Sequence, residues 1–248
     1  MIQVHRLCKL VLILAVVQIG GRAANGDPNL LVTQANELGR SGDCRRALVL
    51  YDQAIREAPT YPNAYFNRGV CYNELGEVDS AFLDYSRAIE RDPGFFPARY
   101  NRGRILAERK QWEDAANDFE RAFLSEPTFL PALGELAHAL FRLNEMDSAL
   151  VVMNALIERD PSNPYHFNNR GEIYKILGRF DEALIDYNTA LTIDPTAAEI
   201  YHSLAQLCVK TGDSDGELRY LELFLQYANP YTDPRVDSVK AALAHRAK

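Results

Sequence analysis

Residues 62–93 read PNAYFNRGVCYNELGEVDSAFLDYSRAIERDP, and the same skeleton recurs at 96–127 and 164–195. Each copy has a glycine in its first half, an alanine 12 positions later and another alanine 7 positions beyond that, and a proline closes it. These prolines belong to a ladder with a spacing of 34 residues: Pro59, Pro93, Pro127, Pro161 and Pro195. A fixed period of 34 with this pattern predicts a solenoid of helix–turn–helix units.

The period divides the chain into six units, which are residues 28–61, 62–95, 96–129, 130–163, 164–197 and 198–231. Numbering each unit from 1 to 34, we predict a first helix over positions 2–14 and a second over positions 18–31. Glycine marks the intervening turn in four units, while Lys110 and Asn144 occupy it in the other two. We also predict a capping helix at 234–246, with Asp233 at its start and an apolar face of Val236, Val239, Ala242 and Leu243. Solenoids need such a cap, because the last repeat otherwise exposes an apolar face to water.

Small residues at positions 8, 20 and 27 allow the two helices of a unit to cross closely. Three residues depart from this rule: Leu156 at position 27 of unit four, and Glu217 and Phe224 at positions 20 and 27 of unit six. We therefore expect the second helix of unit six to pack more loosely or to be shifted by one residue.

The six copies closely resemble the tetratricopeptide repeat family, from residue 28 to about residue 229. The resemblance implies an all-α fold, a right-handed α-solenoid of helix–turn–helix repeats that extends over a domain at 24–248. It also implies that the first helices line a concave groove in which a peptide or a partner helix can bind.

The N-terminus has the features of a secretory signal peptide. Basic Arg6 and Lys9 precede an apolar run at 10–17, and small residues follow it. The run is shorter than the roughly 20 residues of a membrane span, so we expect cleavage after Ala23 and no membrane insertion afterwards. An uncleaved anchor is the alternative. The export signal leads us to expect a periplasmic or secreted protein, in a bacterial envelope.

Composition excludes some partners. Without residues 1–23 the chain has 24 basic and 34 acidic residues, a net charge of −10, which disfavours nucleic acid and anionic membranes as ligands. A related repeat family that recognises RNA has a period of 35 residues, so the 34-residue spacing of this chain also disfavours RNA binding. Three cysteines remain, Cys44, Cys71 and Cys208, and they are either buried thiols or, for Cys44 and Cys71, a disulfide.

Arginine at position 7 and aspartate at position 23 occur together in units two, three and five and are both missing from the other three. We infer three structural pairs that meet across the two helices as bidentate salt bridges: Arg68 with Asp84, Arg102 with Asp118, and Arg170 with Asp186. Independent solvated charges are the alternative.

The residue before each of these arginines is an asparagine, and this column is the candidate recognition site. Side-chain amides offer a donor and an acceptor to the backbone of an extended peptide. The predicted groove residues are Asn67, Asn101, Asn169, Phe66, Tyr100, Arg104, Phe141 and Tyr165. Alternatively, the asparagines only accompany the repeat variant that carries arginine. One subgroup of the tetratricopeptide repeat family holds the C-termini of chaperones in a carboxylate clamp. This chain does not have the clamp, because Val32, Pro97 and Asn101 stand where that subgroup has basic residues.

No phosphate loop, HExxH motif or serine elbow is present, and the histidines are scattered, so no cofactor, metal site or catalytic residue is predicted. The favoured hypothesis is an exported, non-enzymatic scaffold that binds a protein or peptide in the groove. The alternative is an architectural subunit of an envelope assembly that uses its convex face or ends. Self-association is left open.

Overall fold

Residues 27–246 are described by a computed structural model, and within them the chain forms thirteen α-helices and no strand. The predicted signal peptide at 1–23 lies outside the described residues. The first helices of the six repeats are α1 Pro28–Arg40, α3 Pro62–Glu74, α5 Phe96–Glu108, α7 Leu130–Arg142, α9 Pro164–Ile176 and α11 Ala198–Thr211. The second helices are α2 Cys44–Glu57, α4 Val78–Arg91, α6 Trp112–Ser125, α8 Met146–Arg159, α10 Phe180–Ile193 and α12 Ser214–Tyr227, and α13 Arg235–Arg246 follows.

The helix ends follow from local sequence. Proline occupies one of the first two positions of the first helix in repeats one to five, where its missing N–H costs nothing. The predicted turns have left-handed backbone in all six repeats, including Lys110 at φ 60° and Asn144 at φ 63°. The helices of each repeat begin one residue earlier than predicted, and all of them except α11 also end one residue earlier.

Close packing within each repeat rests on the small residues. The alanines at positions 20 and 27 are fully buried wherever they occur. Glycine at position 8 lies against the aromatic ring at position 24. A methyl group on Gly69 would lie 2.9 Å from the Tyr85 ring, and on Gly103 2.8 Å from the Phe119 ring. Side-chain atoms do not approach so closely, so these repeats require glycine there.

The two departures from the pattern are accommodated differently. Leu156 is 2% exposed, and the space beside it is open because position 5 of that repeat is Gly134, whose added methyl would still lie 3.9 Å from Leu156. In repeat six, Gly216 is the buried small residue, one position before Glu217, and its added methyl would lie 2.9 Å from Cys208 Sγ. The close contact in repeat six is therefore shifted by one residue.

The capping helix α13 begins one residue later than predicted, and Asp233 Oδ1 accepts a hydrogen bond from the Arg235 backbone N–H at 2.9 Å. Val236 and Val239 are buried against fully buried Phe224, and Leu243 packs on the same cluster. Ala242, which we placed on the apolar face, is exposed. The cap thus covers α12 with fewer residues than its sequence suggested.

Candidate functional site

The three arginine–aspartate pairs form two parallel hydrogen bonds each. Arg68 Nε and Nη2 donate to Asp84 at 2.7 and 2.7 Å. The corresponding distances are 2.7 and 2.8 Å for Arg102 with Asp118, and 2.8 and 2.7 Å for Arg170 with Asp186. All three aspartates are buried, so each guanidinium compensates a carboxylate that has lost its water.

Each of these arginines also reaches the preceding repeat, a contact the sequence reasoning missed. The third nitrogen, Nη1, donates to position 25 of the previous second helix: Asp52 at 2.6 Å, Ser86 at 3.1 Å and Asn154 at 2.7 Å. One side chain therefore holds three helices together. Position 25 has a different polar residue in each of these repeats, so the sequence shows no common residue that would predict the contact.

Burial alone would lower the pKa of Arg68, but its hydrogen bonds to Asp84 and Asp52 outweigh burial and raise that pKa. The pKa of Arg170 is raised chiefly by its bonds to Asp186, against the opposing effect of burial. These arginines are fixed cations committed to the fold, and they are unsuited to proton transfer.

The surface formed by α1, α3, α5, α7, α9 and α11 is called the first-helix face here. On it, Asn67 of α3 donates through Nδ2 to Asn36 Oδ1 of α1 at 2.9 Å, and the Tyr51 hydroxyl donates to the same oxygen at 2.6 Å. The Asn67 amide is therefore held in one orientation. The Asn67 side chain is half-buried.

Asn101 is half-buried and lies near the Tyr85 hydroxyl. Burial raises the pKa of Tyr85, while the nearby Asn101 amide and the positive charge of Arg104 act in the opposite direction. Asn101, Tyr85 and half-buried Arg104 thus form one polar group on α4 and α5. Asn169, the third member of the predicted column, is exposed on α9.

The predicted aromatic residues differ in their exposure. Phe66 is only 5% exposed and packs between Tyr85 and Phe95, with ring centroids 5.8 and 5.4 Å away. The prediction that Phe66 is available to a ligand was therefore wrong. It belongs to the core, because Phe95 covers the outer side of its ring.

Tyr100 remains at the surface of this face. It is half-buried, with its ring 4.9 Å from Phe129 and 5.8 Å from Phe119. Phe96 packs on Phe129 at 5.2 Å, so a group of rings that the prediction did not include borders Tyr100. Phe141 is half-buried on α7. Tyr100 and Phe141 therefore leave part of their aromatic rings accessible on this face.

Tyr165, the last predicted aromatic residue, is 46% exposed at the start of α9. It lies on α9, which α7 separates from the helix of Tyr100, α5. The predicted residues are therefore spread over several helices of the first-helix face.

Repeats five and six carry a buried polar network on the same face. Lys175 is 8% exposed, and its Nζ donates to Glu172 Oε1 and to Gln206 Oε1, each at 2.8 Å. The Tyr187 hydroxyl also donates to Glu172 Oε1, at 2.7 Å. Lys175 and Glu172 therefore neutralise each other within the network.

One buried amide in this region lacks a partner. Asn168 is 2% exposed, and its Oδ1 has no hydrogen-bond partner among the residues the structure describes. The equivalent position is valine, phenylalanine or tyrosine in the first three repeats. An unpaired buried carbonyl is a cost to stability.

Two structural features are absent from the described part of the chain. Between residues 27 and 246, no group of three or more potential ligands is placed to hold a metal ion. None of the helices described in that range is long and apolar enough to cross a membrane.

Six pairs of helices that cross at small residues and repeat every 34 residues define an α-solenoid repeat protein. Four sequence profiles of this class match the chain between residues 32 and 212. Three, described as "Tetratricopeptide repeat", match residues 32–95, residues 106–168, and residues 85–116 with 152–185. One, described as "TPR repeat", matches residues 171–212. The chain belongs to the tetratricopeptide repeat family.

Among curated proteins, 71 residues of the chain are 38% identical to the tetratricopeptide repeat and J domain-containing co-chaperone DNJ1 of Fusarium oxysporum f. sp. lycopersici. The match covers 29% of this chain and 14% of that protein. The chain therefore spans only a small part of the length of this relative, and the likeness concerns the repeats.

Solved structures resemble the chain over a larger share of its length. PilW, described as a widely conserved type IV pilus biogenesis factor, has a TM-score of 0.69 at 18% identity, over 88% of this chain and 100% of PilW. YrrB, described as a TPR protein with an unusual peptide-binding site, has a TM-score of 0.62 at 19% identity, over 77% and 97% of the two chains. At these identities the likeness shows the fold.

Proposed function

We propose that this protein is an exported, non-enzymatic scaffold that binds an extended peptide or a partner helix on its first-helix face. The observation that carries the proposal is that Asn67, Asn101 and Tyr100 are half-buried side chains on the successive first helices α3 and α5. The Asn67 amide is oriented by its hydrogen bond to Asn36, and the Tyr100 ring is positioned by its contact with Phe129. Polar groups that are already oriented lose little freedom when a ligand binds, which favours affinity.

The chemistry of this group suits a polypeptide ligand. Side-chain amides can pair with the N–H and C=O groups of an extended backbone, and an aromatic ring gives a non-polar contact for a side chain. The structural relative YrrB, which is described as having a peptide-binding site, supports the same class of partner.

The test is capture of partners from an envelope extract by the wild-type chain and by a triple variant, Asn67→Ala, Asn101→Ala and Tyr100→Ala. A matched control is Asn188→Ala, which changes an exposed asparagine on the second helix of repeat five. We expect the triple variant to lose the captured proteins and the control to keep them, with unchanged helical circular dichroism for both. Retention of the same proteins by the triple variant would refute binding on this face.

A second candidate is an architectural role that uses the opposite surface, formed by the second helices. Position 22 of these helices is an exposed aliphatic residue in four repeats, with Val49 63%, Leu83 54%, Val151 68% and Ile185 64% exposed. PilW, a pilus biogenesis factor by description, supports a role in an envelope assembly. Serine at these four positions abolishes partner capture under this candidate and leaves it intact under the first.

Export is part of the proposal, and it rests on the basic and apolar pattern of residues 1–23. The test is mass spectrometry of the protein purified from the cells that produce it. We expect the mature chain to begin at Ala24, and an intact N-terminus would contradict cleavage.

A further inference from the structure

Two buried cysteines from neighbouring repeats lie together at the N-terminal end of the solenoid. Cys44 is the first residue of α2 and is 3% exposed, and Cys71 lies in α3 and is 2% exposed. Both belong to one buried cluster, and each thiol lies close enough to influence the pKa of the other. Cys71 Sγ also lies against α1, 3.5 Å from the position of a methyl group on Gly39. The two sulfurs therefore meet across the boundary between repeats one and two.

We propose that Cys44 and Cys71 form a disulfide that covalently joins the first repeat to the second. The bond arises by thiol–disulfide exchange with an oxidised dithiol or a small disulfide such as oxidised glutathione. One thiolate attacks the oxidant and gives a mixed disulfide, and the second thiolate then displaces the remaining thiol. The two cysteines lose two electrons and two protons, and the oxidant leaves as two thiols.

The position suits a cross-link. Repeat one has Gln34 and Leu50 where repeats two, three and five have the arginine–aspartate pair, so α1 and α2 are not joined by that pair. It is joined to repeat two by the ion pair between Arg68 and half-exposed Asp52. A covalent bond between α2 and α3 strengthens the attachment of repeat one, which has a neighbouring repeat on only one side.

The surroundings of the thiols indicate when the bond forms. The Cys44 thiol donates to Glu74 Oε2 at 3.1 Å. Burial raises the pKa of Cys44, and its hydrogen bonds to Cys71 and Glu74 raise it further, while burial also raises the pKa of Cys71. The thiolate is the reactive form, so these groups are unreactive once the repeats have packed. The disulfide is therefore introduced while repeats one and two are still open.

Cys208 provides an internal control. It is 7% exposed in α11 of repeat six, and it donates to Asp213 Oδ2 at 3.7 Å. It is as enclosed as the other two cysteines but has no cysteine beside it among the residues that the structure describes. A non-specific oxidation of buried thiols would affect Cys208, and the proposed bond leaves it reduced.

The experiment uses the full chain with Cys8→Ser, so that the cysteine outside the described residues contributes no thiol. The reduced chain is unfolded in urea, refolded in reduced and oxidised glutathione, quenched with acid, alkylated and mapped by mass spectrometry. We expect a Cys44–Cys71 cross-linked peptide, lighter by two hydrogen atoms, and an alkylated Cys208. The proposal is overturned if Cys44 and Cys71 are alkylated as Cys208 is, or if Cys208 takes part in the cross-link.

Two further measurements test the geometry and the timing. The urea midpoint of the oxidised chain should exceed that of the same chain after reduction, with no difference for Cys44→Ser. A lower midpoint would overturn the claim that the packed repeats hold both sulfurs in bonding positions. Oxidation of the already folded chain should be at least about tenfold slower than oxidation during refolding, because the buried thiols are protonated. Equal rates would overturn the order of events.

Discussion

Replacing Arg170 or Asp186 alone should destabilise the protein as much as replacing both. Asp186 is 3% exposed and accepts two hydrogen bonds from Arg170. The remaining bond of Arg170 goes to the neutral amide of Asn154. Among the described residues, no other cation lies within ion-pair distance of Asp186. This pair is therefore the best isolated of the three.

The magnitude follows from burial. Removing one partner of a buried ion pair costs about 3–5 kcal/mol, because the other charge is left without compensation. The Arg170 side chain is 20% exposed, so the lower end of that range applies. We expect about 3 kcal/mol for Arg170→Leu, about 3 for Asp186→Leu and about 3 for the double variant, where additive effects would give about 6.

The assay is urea unfolding of the wild type and the three variants, followed by circular dichroism, with the free energies compared only where the m-values agree. The pair of Arg179 and Glu182, whose side chains are 46% and 43% exposed, is the matched surface control, and its double variant should equal the sum of the single variants. The reasoning is refuted if Arg170 and Asp186 are additive within about 0.5 kcal/mol, or if the surface pair couples as strongly.

Four further predictions can be checked by the same unfolding measurement. Gly171→Ala should cost about 2 kcal/mol, because the new methyl would lie 2.7 Å from a fully buried tyrosine ring. Lys110→Gly should stabilise by about 1 kcal/mol, because it relieves a left-handed residue at φ 60°. Asn168→Leu should stabilise by about 1 kcal/mol, because it removes the unpaired buried carbonyl. Burial and the nearby Arg235 lower the pKa of His202, so the folded state disfavours its protonated form. The contribution of neutral His202 to the free energy of unfolding is fully present above the ordinary histidine pKa and is lost as the pH falls below it. Acidification from about pH 7.5 to about pH 5 should therefore lower the free energy of unfolding more for the wild type than for His202→Asn.

The repeats and the arginine–aspartate pairs could be predicted from the sequence because the six copies of the unit can be aligned with one another. Six copies in phase show which positions must be small, and the joint occurrence of Arg68 and Asp84 in some copies indicates that they touch. Contacts between repeats gave no such signal. Arg68 bonds to Asp52, but the equivalent arginines in the other two repeats bond to a serine and an asparagine. The geometry of the contact recurs, although the acceptor residue differs.

The candidate site was harder to predict than the fold, and Phe66 shows why. Position 5 holds valine, phenylalanine, tyrosine, glycine, asparagine and histidine in the six repeats. Whether its side chain is accessible depends on the residue that covers it, as Phe95 covers Phe66. Burial at this position is set by a neighbour on the following loop, and a periodic pattern within one helix does not contain that information.

The asparagines and the arginines are adjacent in sequence, and this links recognition to stability. Asn67 and Arg68 are consecutive in α3, so the bonds from Arg68 to Asp84 and Asp52 fix the rotation of the helix that carries Asn67. The bond from Asn67 to Asn36 of α1 then fixes the amide itself. The bonds of Arg68 and the bond of Asn67 therefore both position the proposed ligand-binding amide. Loss of the Arg68 bonds would disturb the first-helix face at Asn67, although Arg68 itself does not bind the ligand. A reduced affinity in an arginine variant thus measures the position of α3, and only substitutions at Asn67 itself measure the contact with the ligand.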